Sequence, residues 1–361
     1  MEKVRLGDVC EKASSNIKQS DLDNIDGNFP IYGASGFIKA VDFYVQDKPY
    51  IGIVKDGAGV GRIIKLPAYS SVIGTMQYII PNSDIINIAY LAYAMENMNL
   101  SKYYSGATIP HIYFKDYCKE VLPLPPLEEQ KQIAATLDKV TDLIDKRRKQ
   151  LEKLDEIVKA RFVEMFGDIN VNDRKWCTKP LGELCDISRG GSPRPIEQYL
   201  GGTVPWIKIG DATDDDNIYL NSTKEHIIES GVKKSRLIKK GSLIFANCGV
   251  SLGFARIITF DGCIHDGWLA FENIHKSIDK KFLLQSLNQM TEHFRKIAPA
   301  GTQPNLNTSI MKSYMQIIPP IDLQKDFINF VTQVDKQKSL TKQSLEKLET
   351  LKKSLMQEYF G

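Results

Sequence analysis

The sequence predicts an α+β protein built as two unequal copies of one plan: a mixed α/β globular piece followed by a long helix, with the two helices paired antiparallel. Three observations predict it. There is a gapless internal repeat, an apolar stripe at helical spacing behind each of two Pro-Pro pairs, and a set of short strand-like runs bounded by glycine in the segments before them. The 361 residues exceed the ~100–200 of an ordinary single domain. With 42% hydrophobic and 25% charged residues, the composition excludes disordered, collagenous and low-complexity classes.

The repeat organises the chain. Pro125-Pro126-Leu127-Glu128-Glu129-Gln130-Lys131 recurs as Pro319-Pro320-Ile321-Asp322-Leu323-Gln324-Lys325, 194 positions on. The same shift carries Leu151-Glu152-Lys153-Leu154 to Leu345-Glu346-Lys347-Leu348 and Met165-Phe166-Gly167 to Tyr359-Phe360-Gly361. Between 110–167 and 304–361 there are 14 identities in 58 aligned pairs. Leu6-Gly7-Asp8-Val9-Cys10 matches Leu181-Gly182-Glu183-Leu184-Cys185 at a shift of 175, so the second copy carries 19 more residues upstream of the shared part. Two copies of so long a period exclude a solenoid and imply two-fold pseudo-symmetry. The expected boundaries are globular heads over 1–126 and 168–320, with helices over 127–167 and 321–361.

Each shared part reads as one long helix. The Pro-Pro pairs end what precedes them, and Glu128, Glu129, Asp322 and Asp326 put acids in the opening turns, where the helix dipole favours them. Ile133, Leu137, Val140, Ile144, Leu151, Leu154, Val158 and Met165 follow a four-three spacing with one polar interruption at Arg147. The second copy keeps Phe327, Val331, Val334, Leu345, Leu348 and Tyr359 but places Lys338 and Lys352 on the stripe, which suggests that part of this rod faces a partner or water. Gly167 and Gly361 are the expected stops. Forty residues make a rod of about 60 Å. Antiparallel pairing of two such rods would set the heads at opposite ends.

In the second head, Val204–Ile209, Gly241–Ala246 and Phe254–Ile258 read as strands, as do Tyr50–Val54 and Gly61–Leu66 in the first. Ile88–Met98 and Lys280–His293 read as helices.

Candidate chemistry mostly fails. Gly57-Ala58-Gly59-Val60-Gly61 is followed by a β-branched run rather than a helix, so a tight turn is expected instead of a dinucleotide loop. The cluster Asp211, Asp214, Asp215, Asp216 lacks the glycine and closing glutamate of a calcium loop and reads as a solvated turn. His111, His226, His265, His275 and His293 show no metalloprotease spacing, and Ser251 has no nucleophile-elbow frame. The six cysteines form no C-x-x-C pair, so neither zinc nor a disulfide framework is indicated. No apolar run approaches the ~20 residues of a membrane span, and Met1-Glu2-Lys3-Val4-Arg5 lacks a signal-peptide core; the expectation is a cytosolic protein.

Charge is close to balanced, with 47 basic and 44 acidic residues. Local patches rather than totals bind phosphate. Lys233, Lys234, Arg236, Lys239 and Lys240 cluster before a strand, and Arg189-Gly190-Gly191-Ser192-Pro193-Arg194 is a cationic loop. Such loops either contact phosphates and guanine edges or simply form a solvated charged face.

The repeated Pro-Leu-Pro-Pro-Leu-Glu-Glu-Gln at 123–130, its partner Ile-Ile-Pro-Pro-Ile-Asp-Leu-Gln at 317–324, and the long helices behind them resemble the two conserved regions of a type I restriction-modification specificity (S) subunit. In the second head Leu181–Ile187, Gly190–Pro193, Pro205-Trp206-Ile207, Gly241–Phe245 and Gly301-Thr302-Gln303-Pro304-Asn305 resemble successive signatures of a target recognition domain. The first head resembles another subtype through Tyr32–Gly36 and Lys55–Gly61; its counterpart of the Gly-Thr-Gln-Pro-Asn turn, Gly106-Ala107-Thr108-Ile109-Pro110-His111, lacks the glutamine.

The resemblance implies a non-catalytic reader of double-stranded DNA. Each head would take one half of a bipartite asymmetric target, and the helices would set the half-site spacing and bind two methyltransferase subunits that carry S-adenosylmethionine. Restriction-translocase subunits would join for cleavage. No cofactor or metal is expected in this chain. Candidate DNA-contacting residues are Lys55, Arg62, Lys102, Tyr103, Tyr104 and His111 in the first head, and Arg189, Arg194, Lys208, Lys233, Lys234, Arg236 and Asn247 in the second. Gln303 and Asn305 would hydrogen-bond adenine edges or cap a turn. A coiled-coil scaffold without DNA specificity and a self-contained enzyme are the alternatives.

Overall fold

The computed structural model describes residues 2–105, 110–212, 218–249, 251–299 and 305–361. Two compact units divide it, Met1–Gln150 together with Thr341–Gly361, and Leu151–Leu340.

In the first unit, strands β1 (Lys3–Arg5), β2 (Cys10–Ser14), β3 (Phe29–Gly33), β4 (Gly36–Val41), β5 (Tyr50–Val54), β6 (Ile63–Leu66), β7 (Ser71–Val72), β8 (Met76–Pro81) and β9 (Val121–Pro123) make three sheets. The main one runs β2-β8-β5-β6, all antiparallel. Tyr-Ile-Gly-Ile-Val is apolar throughout because β5 lies inside this sheet with both faces covered, and all five residues are buried. A smaller sheet runs β4-β3-β7, with β3 antiparallel to β4 and parallel to β7. The helix Ile88–Asn97 is capped by Asn87, whose Oδ1 accepts from the N–H groups of Ala89 and Tyr90. It buries Tyr90, Leu91 and Met95 in a core that also takes Ile133, Ala134 and Leu137 from the first long helix and Met356 from the second. Pairing of β1 with β9 closes the head at its two ends.

The second unit contains β10 (Thr178–Pro180), β11 (Asp186–Arg189), β12 (Leu200–Ile207), β13 (Tyr219–Leu220), β14 (Glu225–Ile227), β15 (Arg236–Ile238), β16 (Leu243–Ala246), β17 (Ala255–Ile258), β18 (Gly262–Ile264), β19 (Trp268–Glu272) and β20 (Met315–Ile317). Its sheets run β11-β19-β16-β17-β13 and β14-β12-β18-β15, and β10 pairs with β20 as β1 does with β9. The stretch expected as one helix over Lys280–His293 is two. Lys280–Gln289 ends at Met290, whose backbone (φ −92°, ψ 8°) leaves the helical region, and Thr291–Ile297 begins anew. The break lets Leu287 and Phe294 both reach the core.

The long helices span Leu127–Phe166 and Ile321–Phe360. Gly167 and Gly361 follow them, Gly167 in the left-handed region at φ +77° with its N–H returned to Val163 O at 2.8 Å. The helices pair antiparallel within each unit. In the first, Ile133 and Leu137 share a core with Met356, while further along Arg147 Nε donates to Ser344 Oγ at 3.2 Å. In the second, Phe162 and Phe166 pack edge-on against Phe327, and Lys338 Nζ meets Asp155 Oδ1 at 2.7 Å. Ile144, Val140, Val331 and Val334 are buried, whereas Leu151, Leu154, Val158, Leu345 and Leu348 are half-buried.

The stripe lysines correct an expectation. Lys338 has a side chain only 12% exposed because Asp155 receives it. Lys352 donates to Glu96 at 3.0 Å and lies 5.5 Å from the Tyr93 ring. Both turn toward groups of their own chain, where a carboxylate receives the partly buried ammonium.

The duplication is structural as well as sequential. Val54 N–H donates to Arg62 O at 3.0 Å and Gly61 N–H to Val54 O at 2.8 Å; Ala246 N–H donates to Phe254 O and Gly253 N–H to Ala246 O, both at 2.8 Å. At their described residues the loops 55–61 and 247–253 are therefore closed by one backbone frame, 192 positions apart. Their glycines agree: Gly57 and Gly249 have φ of +87° and +79°, Gly61 and Gly253 +85° and +99°. The Gly57–Gly61 run is the turn its sequence predicts, joining β5 to β6.

Candidate nucleic-acid interface

Each framed loop meets the same later segment of its own head. In the first, Lys55 N–H donates to Thr75 O and Ile112 N–H to Lys55 O, both at 3.0 Å. In the second, Asn247 N–H donates to Gly267 O at 2.9 Å and Leu306 N–H to Asn247 O at 2.8 Å. Isolated bridges Asp56–His111 and Cys248–Asn305 complete the match. The side chains at these matched positions differ.

In the first head, His111 Nδ1 is bound to an Asp56 carboxylate oxygen. The His111 ring centroid is 4.2 Å from that of Tyr113, and Lys55 Nζ is 4.0 Å from Asp56 Oδ2. Lys55 and His111 thus come together, with exposed Tyr104 one residue before the Ser105–His111 bridge. Arg62 donates to Ala34 O at 2.9 Å and borders a cleft of about 700 Å³ shared with Tyr93, Glu96, Asp138 and Lys352. Lys102 and Tyr103 join neither group. Both bind Glu120 Oε1, Lys102 at 2.6 Å. Burial pushes the Glu120 carboxyl up, but these two donors outweigh it and hold it below the ordinary range.

In the second head the cationic loop is buckled onto Asp266. Ser192 Oγ donates to Asp266 Oδ1 at 2.6 Å, Arg189 Nε to Asp266 O at 2.8 Å, and Arg236 Nε to Arg189 O at 2.9 Å. His265 Nδ1 accepts the Gly267 N–H at 2.9 Å, so the proton sits on Nε2, which faces Asp266 Oδ1 at 3.0 Å. Burial pushes the His265 pKa down; Asp266 opposes this, and Lys208, Arg194 and Arg189 reinforce it. Burial pushes the Asp266 carboxyl up, but Ser192, His265 and the two arginines pull it below the ordinary carboxylate range. Lys208 pairs with Glu225 and lies 5.6 Å from the Trp206 ring, which contacts His265 edge-on at 5.6 Å. Lys234 donates to Tyr199 OH at 2.6 Å, and Lys233 is exposed.

Asn247 lies at the floor of this region. It is fully buried, its Nδ2 donates to Asn305 Oδ1 at 3.0 Å, and its own Oδ1 has no partner among the described residues. Gln303, Gly301, Pro304, the 106–109 part of the first turn and Asp214–Asp216 lie outside the described residues.

Sequence reasoning singled out the cations here but not the groups that orient them. Asp56 and Ser192 lie within signature stretches, Glu225 opens strand β14 and Asp266 sits in a loop, but nothing in the sequence pairs them with His111, Lys208 or Arg189; the chain's return from distant segments does. Among the described residues no group of three potential ligands could hold a metal, and no helix is long and apolar enough to cross a membrane. All six cysteines are free, and burial pushes the Cys10 and Cys185 thiols up to about 12.

The family model described as type I restriction modification DNA specificity domain matches residues 1–156 and again 173–350. The type I restriction enzyme MjaVIII specificity subunit of Methanocaldococcus jannaschii is 24% identical over 98% of this chain and 91% of its own length. A putative type I restriction enzyme specificity subunit of Haemophilus influenzae is 22% identical over 93% of this chain and 86% of its own. In fold, the chain is similar to the crystal structure of a type I restriction-modification S subunit from M. genitalium. The TM-score is 0.62 at 15% identity, covering 100% of this chain and 96% of that one.

Proposed function

Because the chain belongs to the family of type I restriction-modification DNA specificity domains, we propose that this non-catalytic DNA specificity subunit reads a bipartite, asymmetric target, one half-site per head. The observation that carries this reading is the duplicated loop frame. Lys55, Asp56 and His111 in one head stand where Asn247, Cys248 and Asn305 stand in the other, on matching backbone hydrogen bonds. One frame carrying two side-chain sets suits the recognition of two different sequences.

The cations around the frames, Lys55 in the first head and Arg189, Arg194 and Arg236 in the second, suit phosphate contacts that position a duplex, while polar side chains at the matched positions read base edges. The paired helices set the spacing between half-sites and dock two methyltransferase subunits, which bring S-adenosylmethionine and modify adenine; restriction-translocase subunits join the same assembly. On a chain of net charge +3 the cations lie in local patches, and tight, salt-sensitive DNA binding is expected in the assembly, where the partners supply much of the electropositive surface.

The test is methylome sequencing of a methylation-free host expressing the chain with its methyltransferase subunits. A single motif of two defined halves separated by an unread spacer is expected, and inserting one heptad in both long helices should change the tolerated spacer. Methylation without sequence preference would overturn the reading; an unchanged spacer would overturn the ruler role of the helices.

A further inference from the structure

We propose that His111 and Asn305 are the base-reading residues of the first and second heads, each held in reading orientation by a side chain of the framed loop, Asp56 and Asn247 respectively. This rests on the specificity reading above and assigns it to particular atoms.

The two positions are structurally equivalent. Each follows a proline, Pro110 or Pro304, in chain order, forms an isolated bridge to the second residue of the framed loop, and precedes a residue whose N–H donates to the loop's first carbonyl. Each also has its polar side chain tied to a side chain of that loop, though through different partners. His111 is bound through Nδ1 to Asp56. Asn305 is bound through Oδ1 to the Nδ2 of Asn247. Fixing one polar atom in this way fixes the direction of the others. His111 is left with Nε2, and Asn305 with its Nδ2 and the second lone pair of Oδ1; none of these has a partner among the described residues.

Those leftover atoms have the right chemistry for base edges. An asparagine amide offers one donor and one acceptor, the pattern that matches adenine N7 and N6 in the major groove. An imidazole with one nitrogen bound to a carboxylate offers a single directed nitrogen, a narrower and different preference. Both residues are partly rather than fully buried, the His111 side chain 26% exposed, so a base edge can reach them while their rotation is restricted. Restricting a side chain before binding lowers the ordering cost of the complex.

Neighbouring groups agree. Asn305 bridges Cys248, and the Cys248 thiol senses both Asp266 and Arg189, which ties the reading position to the buckled cationic loop. In the first head Lys55 stands beside Asp56. Each reading position therefore shares its loop cluster with a cation suited to a phosphate, Lys55 in the first head and Arg189 in the second.

The experiment uses the full chain co-expressed with its methyltransferase subunits, read out by methylome sequencing. His111→Ala should relax one position of one half-site, lowering discrimination there about tenfold or more, with the other half-site intact. Asn305→Ala should do the same in the opposite half-site. Asp56→Asn, which weakens the hold on His111, should disturb the same position as His111→Ala without loosening the rest of the motif, a pattern that a purely structural role would not produce. His111→Gln and Asn305→Ser, milder changes that keep an uncharged polar side chain, decide the matter if an alanine variant fails to assemble. Wild-type motifs at wild-type discrimination in these variants would overturn the proposal while leaving the specificity reading standing. Absence of any motif with the unsubstituted chain would instead sink that reading.

Discussion

Gln130 Oε1 accepts the backbone N–H of Asn87 at 2.8 Å, joining the first turn of a long helix to the cap of a head helix. Its Nε2 donates to Ile85 O at 3.1 Å and Pro125 O at 2.8 Å. Gln324, its repeat partner, makes the same three bonds, to Asp279 N at 2.8 Å, Ser277 O at 3.0 Å and Pro319 O at 2.8 Å. Both glutamines are fully buried. A residue that satisfies three backbone groups away from water ties head to rod in each unit.

Replacing either glutamine by leucine keeps the volume but orphans a buried N–H and two carbonyls. Unsatisfied buried groups cost ~1–3 kcal/mol each, and relaxation returns part of this, so Gln130→Leu and Gln324→Leu should each lower stability by about 2–4 kcal/mol. Urea denaturation of the purified chain measures it. A loss below about 0.5 kcal/mol, the range of an ordinary surface change, would remove the clasp role.

These glutamines also mark how far the sequence was legible. The repeat displayed Gln130 and Gln324 as identical, and the apolar spacing located Ile133, Leu137, Val331 and the two forty-residue helices. It did not display what the glutamines hold, because Asn87 and Asp279 lie more than forty positions upstream and only the folded head returns them. Phe162, off the expected stripe, enters the core because Phe282 from the head approaches at 5.9 Å, a contact no helical periodicity contains. Lys338 and Lys352 read as facing a partner or water for the same reason: their acids, Asp155 and Glu96, come from other elements. The site was legible as a set of cations and illegible as an arrangement, since Asp56 meets His111 from 55 positions away and Asp266 meets Ser192 from 74.

The aromatic cluster of the second unit gives a contrast between buried and exposed positions on one helix. Phe327 is fully buried against Phe162 and Phe166, with ring centroids 5.4 Å away in both cases, while Leu340 is 53% exposed. Phe327→Ala should cost about 3–5 kcal/mol. Leu340→Ala should stay within ~0.5 kcal/mol, as at other surface positions. Thermal denaturation of the two variants side by side tests the assignment of the packed face.

Two cross-helix ion pairs among the described residues should differ in strength. Lys338–Asp155 has side chains 12% and 41% exposed, Arg148–Glu349 58% and 46%. Exposed pairs couple by ~0.2–1 kcal/mol. Double-mutant cycles should place Arg148–Glu349 within that range and Lys338–Asp155 above it, because its ammonium is shielded from water and salt. Equal coupling, equally reduced by added salt, would refute the difference in burial.

Acid should weaken the first unit through Asp138. Burial pushes this carboxyl up, but Lys65 Nζ at 2.8 Å and Tyr93 OH at 2.7 Å, both on Oδ1, hold it below the ordinary value of 3.8. A carboxyl lowered in the folded state binds fewer protons there than in the unfolded chain. Its contribution is therefore complete above 3.8 and is lost as the pH falls through the folded value. Asp138→Asn should reduce stability at neutral pH and flatten its decline below pH 4. Chemical denaturation of both forms across that interval decides it.

His265 gives the converse test, on a base whose charged form is disfavoured. Burial and the nearby Lys208, Arg194 and Arg189 lower its pKa below the ordinary 6.5, and Asp266 alone pulls the other way. The folded imidazole releases its proton more readily than the unfolded one, so its contribution is complete above 6.5 and fades as the pH falls through the folded value. An NMR titration of the ring should find its midpoint below 6.5. Asp266→Asn should lower the value further by removing the opposing charge, and Arg189→Ala should raise it. The opposite signs would mean that the Ser192–Asp266 buckle does not gather these arginines around the imidazole, and with it the organised cationic face of the second head would fall.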